Sequence, residues 1–144
     1  MEDWLTKARE SFPELLDKTS QNRDYNSPTD LWIDLFGLLA NSYKEQPIND
    51  DLIGRIYDYA AWCFAQPQTD DVETDLSSAT AVGLIEDIPL DPKISDDLYR
   101  WMSVESFLGF ENLFRNHLDT EDAYRSFRDQ FMEKKKRYAG PSRI

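Results

Sequence analysis

Apolar residues recur at helical spacing along almost the whole chain. Between 28 and 45, Leu31, Leu35, Leu38 and Ser42 mark one ridge, flanked by Trp32, Phe36, Leu39 and Tyr43. Between 50 and 65, Leu52, Ile56, Tyr59 and Cys63 lie beside Ile53, Tyr57, Ala60 and Phe64. Val72, Leu76, Ala79 and Gly83 line up over 71–86, followed by a helical pattern over 103–117 from Val104 to Phe114. Ala123, Tyr124, Phe127 and Phe131 make the stripe over 120–137. The first segment, 2–18, carries Trp4, Leu5, Ala8, Phe12, Leu15 and Leu16, and Pro13 is placed to break it in two. No run of strict alternation is long enough to propose a strand.

The breaks agree with the stripes. Pro28 follows Ser27 at a position where proline opens a helix. Pro47, Pro67, Pro89 and Pro92 fall between periodic segments, where a helix has to stop. The connections are short apart from the polar stretch 18–27, and short connections favour antiparallel neighbours. The expected fold is all-α, a compact antiparallel bundle of five or six helices. A HEAT-like stack of helical hairpins is the alternative, because candidate helix starts recur every 20–26 residues or so, though the pairs are unlike in sequence. One helical domain is expected over 1–138, with a flexible tail at 139–144.

Three stretches read alike: NDDL at 49–52, TDDV at 69–72 and SDDL at 95–98. Asn49, Thr69 and Ser95 are each good N-cap residues. The two aspartates that follow would sit in the first turn, at the positive end of the helix dipole. SPTD at 27–30 and DTED at 119–122 are variants with the acid placed as in a capping box. The repeat therefore reads as helix-start punctuation rather than as a repeated acidic site.

Charge narrows the partners. The 144 residues hold 28 acids against 16 Lys and Arg, a net −12. The ending EKKKRYAGPSRI carries five positive charges and one negative, so residues 1–132 hold −16. Such a body repels nucleic acid and anionic membrane surfaces. It suits a basic protein partner, or simply solubility. The basic run MEKKKRY at 132–138 complements the negative end of its own helix. One cysteine, Cys63, allows no intrachain disulfide and fits a reducing compartment. The charged N-terminus lacks the apolar core of a signal peptide, and the longest apolar run, LWIDLFGLLA at 31–40, is too short to span a bilayer. A cytoplasmic protein is expected.

Candidate chemistry is sparse. Cys63, between Trp62 and Phe64, reads as a buried thiol, not a nucleophile. His117 lies near Asp119, Glu121 and Asp122, but one histidine and one cysteine cannot furnish a structural zinc site, and no Glu-x-x-His pair is present. No metal and no cofactor are expected. The stretch 70–97 holds nine acids against Lys93, and Asp70, Asp71, Glu73, Asp75, Glu86 and Asp87 are its candidate partner-binding residues. The solvated rim of a helix start is the competing reading of the same charges. A hydrolase using acidic residues and His117 with a divalent metal, or an oligomerising scaffold, is the alternative function.

The segments RIYDYAAWCFAQP (55–67), DVETDLSSATAVGLIEDIP and LYRWMSVESFLGFENLFRNHL together form a pattern over about 28–132. It resembles an uncharacterised family of small, acidic, all-helical bacterial proteins. The resemblance rests on an Ile-Tyr-x-Tyr-Ala-x-Trp-Cys helix, an Ala-rich helix with an acidic end, and Trp101, Ser103, Glu105 and Phe107 in a Trp-x-Ser-x-Glu-x-Phe segment. The family's aromatic-Glu-His ending of the Ala-rich helix appears here as Leu84, Ile85, Glu86 and Asp87, two positions apart from the pattern. The resemblance implies no established activity. It implies an immunity role beside contact toxins, that is, a toxin-neutralising binding protein.

Overall fold

A computed structural model describes residues 3–18, 25–71 and 75–144. Among them are nine α-helices and no strand: α1 (Trp4–Ser11), α2 (Pro13–Lys18), α3 (Pro28–Ser42), α4 (Asp50–Phe64), α5 (Leu76–Thr80), α6 (Pro92–Asp97), α7 (Val104–Gly109), α8 (Glu111–Arg115) and α9 (Glu121–Arg137). A π-helical segment, Ala81–Ile85, continues α5, and two 3-10 turns, Ile88–Leu90 and Leu98–Arg100, flank α6. The all-α class expected from the periodicity is the class observed. The long stripes at 28–45, 50–65 and 120–137 are α3, α4 and α9, and Pro13 does separate α1 from α2. The stripe at 103–117 is broken at Phe110 into α7 and α8. Among the described residues no helix is long and apolar enough to cross a membrane.

The punctuation reading holds for some of the repeats and fails for others. Ser27 accepts a hydrogen bond from Asp30 N with Pro28 in the first turn, Asn49 accepts from Leu52 N, and Thr120 accepts from Ala123 N. Each satisfies an N–H that the first turn leaves open. Ser95, by contrast, lies inside α6, whose cap is Asp91, because Pro92 fixes the start three residues earlier. The TDDV stretch at 69–72 runs past the described residues, and the next described helix, α5, opens at Leu76 with Asp75 as its cap.

The core is one cluster that draws on α1 through α9. Helix α3 packs against α4, α5 and the π segment, α1 against α4, α8 against the π segment, and α9 against the 98–100 turn. Trp32, Tyr57, Tyr59, Tyr124, Phe12, Phe107 and Phe114 are its largest fully buried side chains. Each contributes about 1.5–3 kcal/mol on burial. At one end Phe107 stacks on Phe131 at 4.1 Å and meets Phe114 and Phe127 at 5.0 and 5.3 Å, which ties α7, α8 and α9 together. In a solenoid each repeat touches only its neighbours. Here α1 lies on α4, and the end of the chain lies on α4 and Trp101, so the packing is that of a single core.

The π segment has a steric cause in view. Gly83 lies so close to Trp32 that a Cβ there would sit 2.3 Å from Trp32 Cβ. The Trp32 indole N–H donates to Thr80 Oγ1 at 3.0 Å, one turn earlier, so the indole is clamped along the α5–π rod. Glu86 N reaches back five residues to Ala81 O, which widens the turn over that contact.

Residues 139–144, expected as a flexible tail, are bonded into the fold. Arg143 N and Ile144 N donate to Trp101 O at 2.7 and 3.0 Å, and Ser103 N donates to Ile144 O at 2.7 Å. The Arg143 guanidinium meets both oxygens of Asp58 at 2.7 Å and lies over the Trp101 ring, which stacks on Tyr57. The sequence marked this segment only as a tail after the last helix. It did not reveal that Arg143 and Ile144 each have a partner on the core.

Candidate functional site

The six candidate partner-binding acids do not form one patch. Asp70 and Asp71 are exposed in the turn after α4. Glu73 lies outside the described residues. Asp75 is buried, and its carboxylate accepts from Ser78 Oγ and from Ser78 N and Thr69 N. Those bonds, the Ser78 hydroxyl first, hold it below the ordinary aspartate range. Asp75 thus anchors α5 and has little left to offer a partner. Glu86 and Asp87 sit at the far end of the rod, roughly 15 Å away at about 1.5 Å per residue. There they meet His117, whose Nε2 is 3.2 Å from Asp87 Oδ1 and 3.6 Å from Glu86 Oε1. Between the acidic ends lie Ser77, Ala81 and the exposed Val82.

The pairing of His117 with Glu86 and Asp87 was not readable from spacing, which set His117 beside Asp119, Glu121 and Asp122. Packing of α8 on the π segment makes it. Both carboxylates face the same imidazole nitrogen. Among the described residues no group of three or more His, Cys, Asp and Glu is arranged to hold a metal ion. Cys63 is fully buried, and burial pushes its thiol up to about 11. A thiol in that setting stays protonated and is a poor nucleophile.

A second feature was not anticipated. The turn 43–48, which carries a cis Gln46–Pro47 bond, forms a groove of about 680 Å³ with α6, the 98–100 turn and α9. Its floor is built on Asp97. This carboxylate accepts from Tyr43 OH at 2.6 Å, from Arg100 Nε and Nη2 at 2.6 and 2.7 Å, and from Trp101 Nε1 at 3.0 Å. Arg100 also donates to Asp50 Oδ1 at 2.8 Å. Two carboxylates therefore share one guanidinium, whose pKa they raise. Burial, before any neighbour, drives the Tyr43 and Tyr57 hydroxyls far above the ordinary tyrosine range, so both stay protonated. Tyr57 OH is fully buried and has no hydrogen-bond partner among the described residues. On the groove wall Lys134 Nζ donates to Asp96 O at 3.0 Å and pairs with Asp96 Oδ1 at 3.6 Å. The signal for this site was hidden in sequence. Tyr43 and Asp97 are 54 residues apart, and Asp97 read as part of a helix start.

The arrangement offers surfaces and a groove for binding. Comparison with protein-family models, curated proteins and solved structures finds no match.

Proposed function

We propose that the protein is a non-enzymatic binding domain that engages a basic protein partner through the surface of the α5–π rod. The reading rests on one observation. The exposed Val82 lies on a rod with Asp70 and Asp71 before one end and Glu86 and Asp87 at the other. An uncharged centre inside a charged rim is the anatomy of a protein interface. Ile33 on α3 is also exposed, and its neighbour Trp32 contacts Gly83. The net −12 would speed encounter with a cationic surface and make it salt-sensitive. Toxin neutralisation in a bacterial cytoplasm is the role that the family resemblance adds to this reading.

The test is affinity capture from a lysate of the source organism, at low and moderate salt, followed by mass spectrometry. One stoichiometric basic protein, lost as salt rises, supports the proposal. The variant Asp70→Lys/Asp71→Lys/Asp87→Lys should abolish that capture while the far-UV circular dichroism spectrum stays that of the folded helical protein. Asp75 is left untouched because it caps α5. Capture that survives both salt and the triple variant would remove this surface as the binding face.

A further inference from the structure

The groove between the 43–48 turn, α6 and α9 takes no part in the interface proposed above, since Asp70, Asp71, Asp87 and Val82 do not line it. Its volume, about 680 Å³, falls in the range of roughly 300–1,000 Å³ typical of small-molecule sites. Its walls are half apolar in character, from Pro47, Ile48 and the rings of Tyr43 and Tyr99. The floor is rigid, because Tyr43 is held by Asp97, which Arg100 and Trp101 hold in turn.

The charges on the groove fall into two kinds. Asp96 and Lys134 neutralise each other, and Asp97 is matched by Arg100. Two groups remain. Among the described residues Lys93 has no carboxylate within ion-pair reach, and Glu45 accepts from the neutral amide of Asn49, at 3.2 Å, and has no cation within that reach. One open cation and one open anion on a half-apolar groove are complementary to a ligand with both charges and an apolar body. A simple anion would meet the repulsion of a −12 protein and leave Glu45 unmatched. A simple cation would leave Lys93 unmatched. A zwitterion adds no net charge and matches both.

We infer that this groove binds a small apolar zwitterion, the chemistry of a free α-amino acid with an aliphatic or aromatic side chain. Lys93 receives the carboxylate, Glu45 receives the ammonium, and Tyr43, Tyr99, Pro47 and Ile48 enclose the side chain. The ligand is bound, not transformed.

The test is a two-dimensional amide NMR titration of the 15N-labelled full chain with L-leucine and with L-phenylalanine. Isovalerate, which has only the anion, and isopentylamine, which has only the cation, are run alongside. The expected result is saturable shifts confined to amides of Glu45, Gln46, Ile48, Lys93–Asp97 and Lys134 with at least one amino acid. The single-charge analogues should bind at least about tenfold more weakly, as should the variants Lys93→Ala and Glu45→Gln. Both side chains are exposed, so these variants keep the fold, and their unchanged spectra elsewhere would show it. No saturable shift at the groove, or a single-charge analogue that binds as tightly as the amino acid, would overturn the inference. So would full affinity in both variants.

Discussion

The same substitution, Gly→Ala, should have opposite effects at two helical positions. At Gly83 an added Cβ would lie 2.3 Å from Trp32 Cβ and 2.9 Å from its Cγ. Apolar carbons rest at about 3.5–4.0 Å, so the π segment and α3 would have to part by more than about 1 Å. Rotation gives no relief, because Trp32 Cβ is fixed to the α3 backbone and its indole is held by Thr80. Overpacking of this kind costs about 1–3 kcal/mol, and occasionally more. A gain of up to about 1 kcal/mol in helix propensity opposes it. The direct clash with a backbone-fixed atom puts this site at the upper end, for a net loss of about 2 kcal/mol. At Gly37 nothing lies within 4 Å and the residue is exposed on α3. There only the propensity and unfolded-chain terms act, for a gain of about 0.5–1 kcal/mol. For a chain of this size the melting temperature moves about 2–4 °C per kcal/mol. Circular dichroism at 222 nm should show Gly83→Ala melting roughly 4–8 °C below the parent and Gly37→Ala roughly 1–4 °C above it. If Gly83→Ala is as stable as Gly37→Ala, the steric account of the α3–π contact is wrong.

Three further outcomes follow from the side-chain geometry. Asp97→Ala removes the acceptor shared by Tyr43, Arg100 and Trp101, while Arg100 keeps Asp50. It should cost about 2–3 kcal/mol in urea unfolding, and Asp97→Asn should cost less because it still accepts; a loss under about 1 kcal/mol would contradict the hub. Cys63 should stay unmodified by iodoacetamide at pH 8 in the folded protein and react fully in denaturant, since burial raises its thiol pKa to about 11; rapid labelling without denaturant would contradict the burial. Glu14, Asp50 and Glu121 are each held below their ordinary values by arginines 55, 100 and 115. Groups depressed on folding contribute stability that is present above the unfolded values of 4.5 and 3.8 and is lost as pH falls through the folded ones. Melting temperature should therefore drop below about pH 4.5, and Glu14→Gln should flatten that acid limb.

The long stripes were legible because burial imposes a period that a single helix must repeat. Leu31, Leu35, Leu38 and Ser42 are all buried, as their spacing requires. Caps were legible where one side chain competes for one backbone N–H, as at Ser27 and Asn49; at DTED the cap is Thr120, one residue past Asp119. Ser95 misled because Pro92 outranks it as a helix opener. Beyond such local rules the sequence was silent. The widening at Ala81–Ile85 depends on Trp32, some 50 residues earlier, and no periodicity within 71–86 encodes it. The candidate acids looked like one site because they are close in the chain, yet a rod separates Asp70 from Asp87 and hydrogen bonds occupy Asp75. The groove was invisible for the converse reason: its parts come from three distant segments, 43–48, 93–99 and Lys134.

The bonds from Arg143 and Ile144 to Trp101, with the Arg143–Asp58 pair spanning 85 residues, bear on the order in which the chain can finish folding. During synthesis the stripes of α3 and α4 can pair early, but the cover over Trp101 and Tyr57 cannot close until residue 144 has left the ribosome. Until then the aromatic stack on α4 is open to water. A chaperone or a neighbouring nascent chain would meet this protein there first.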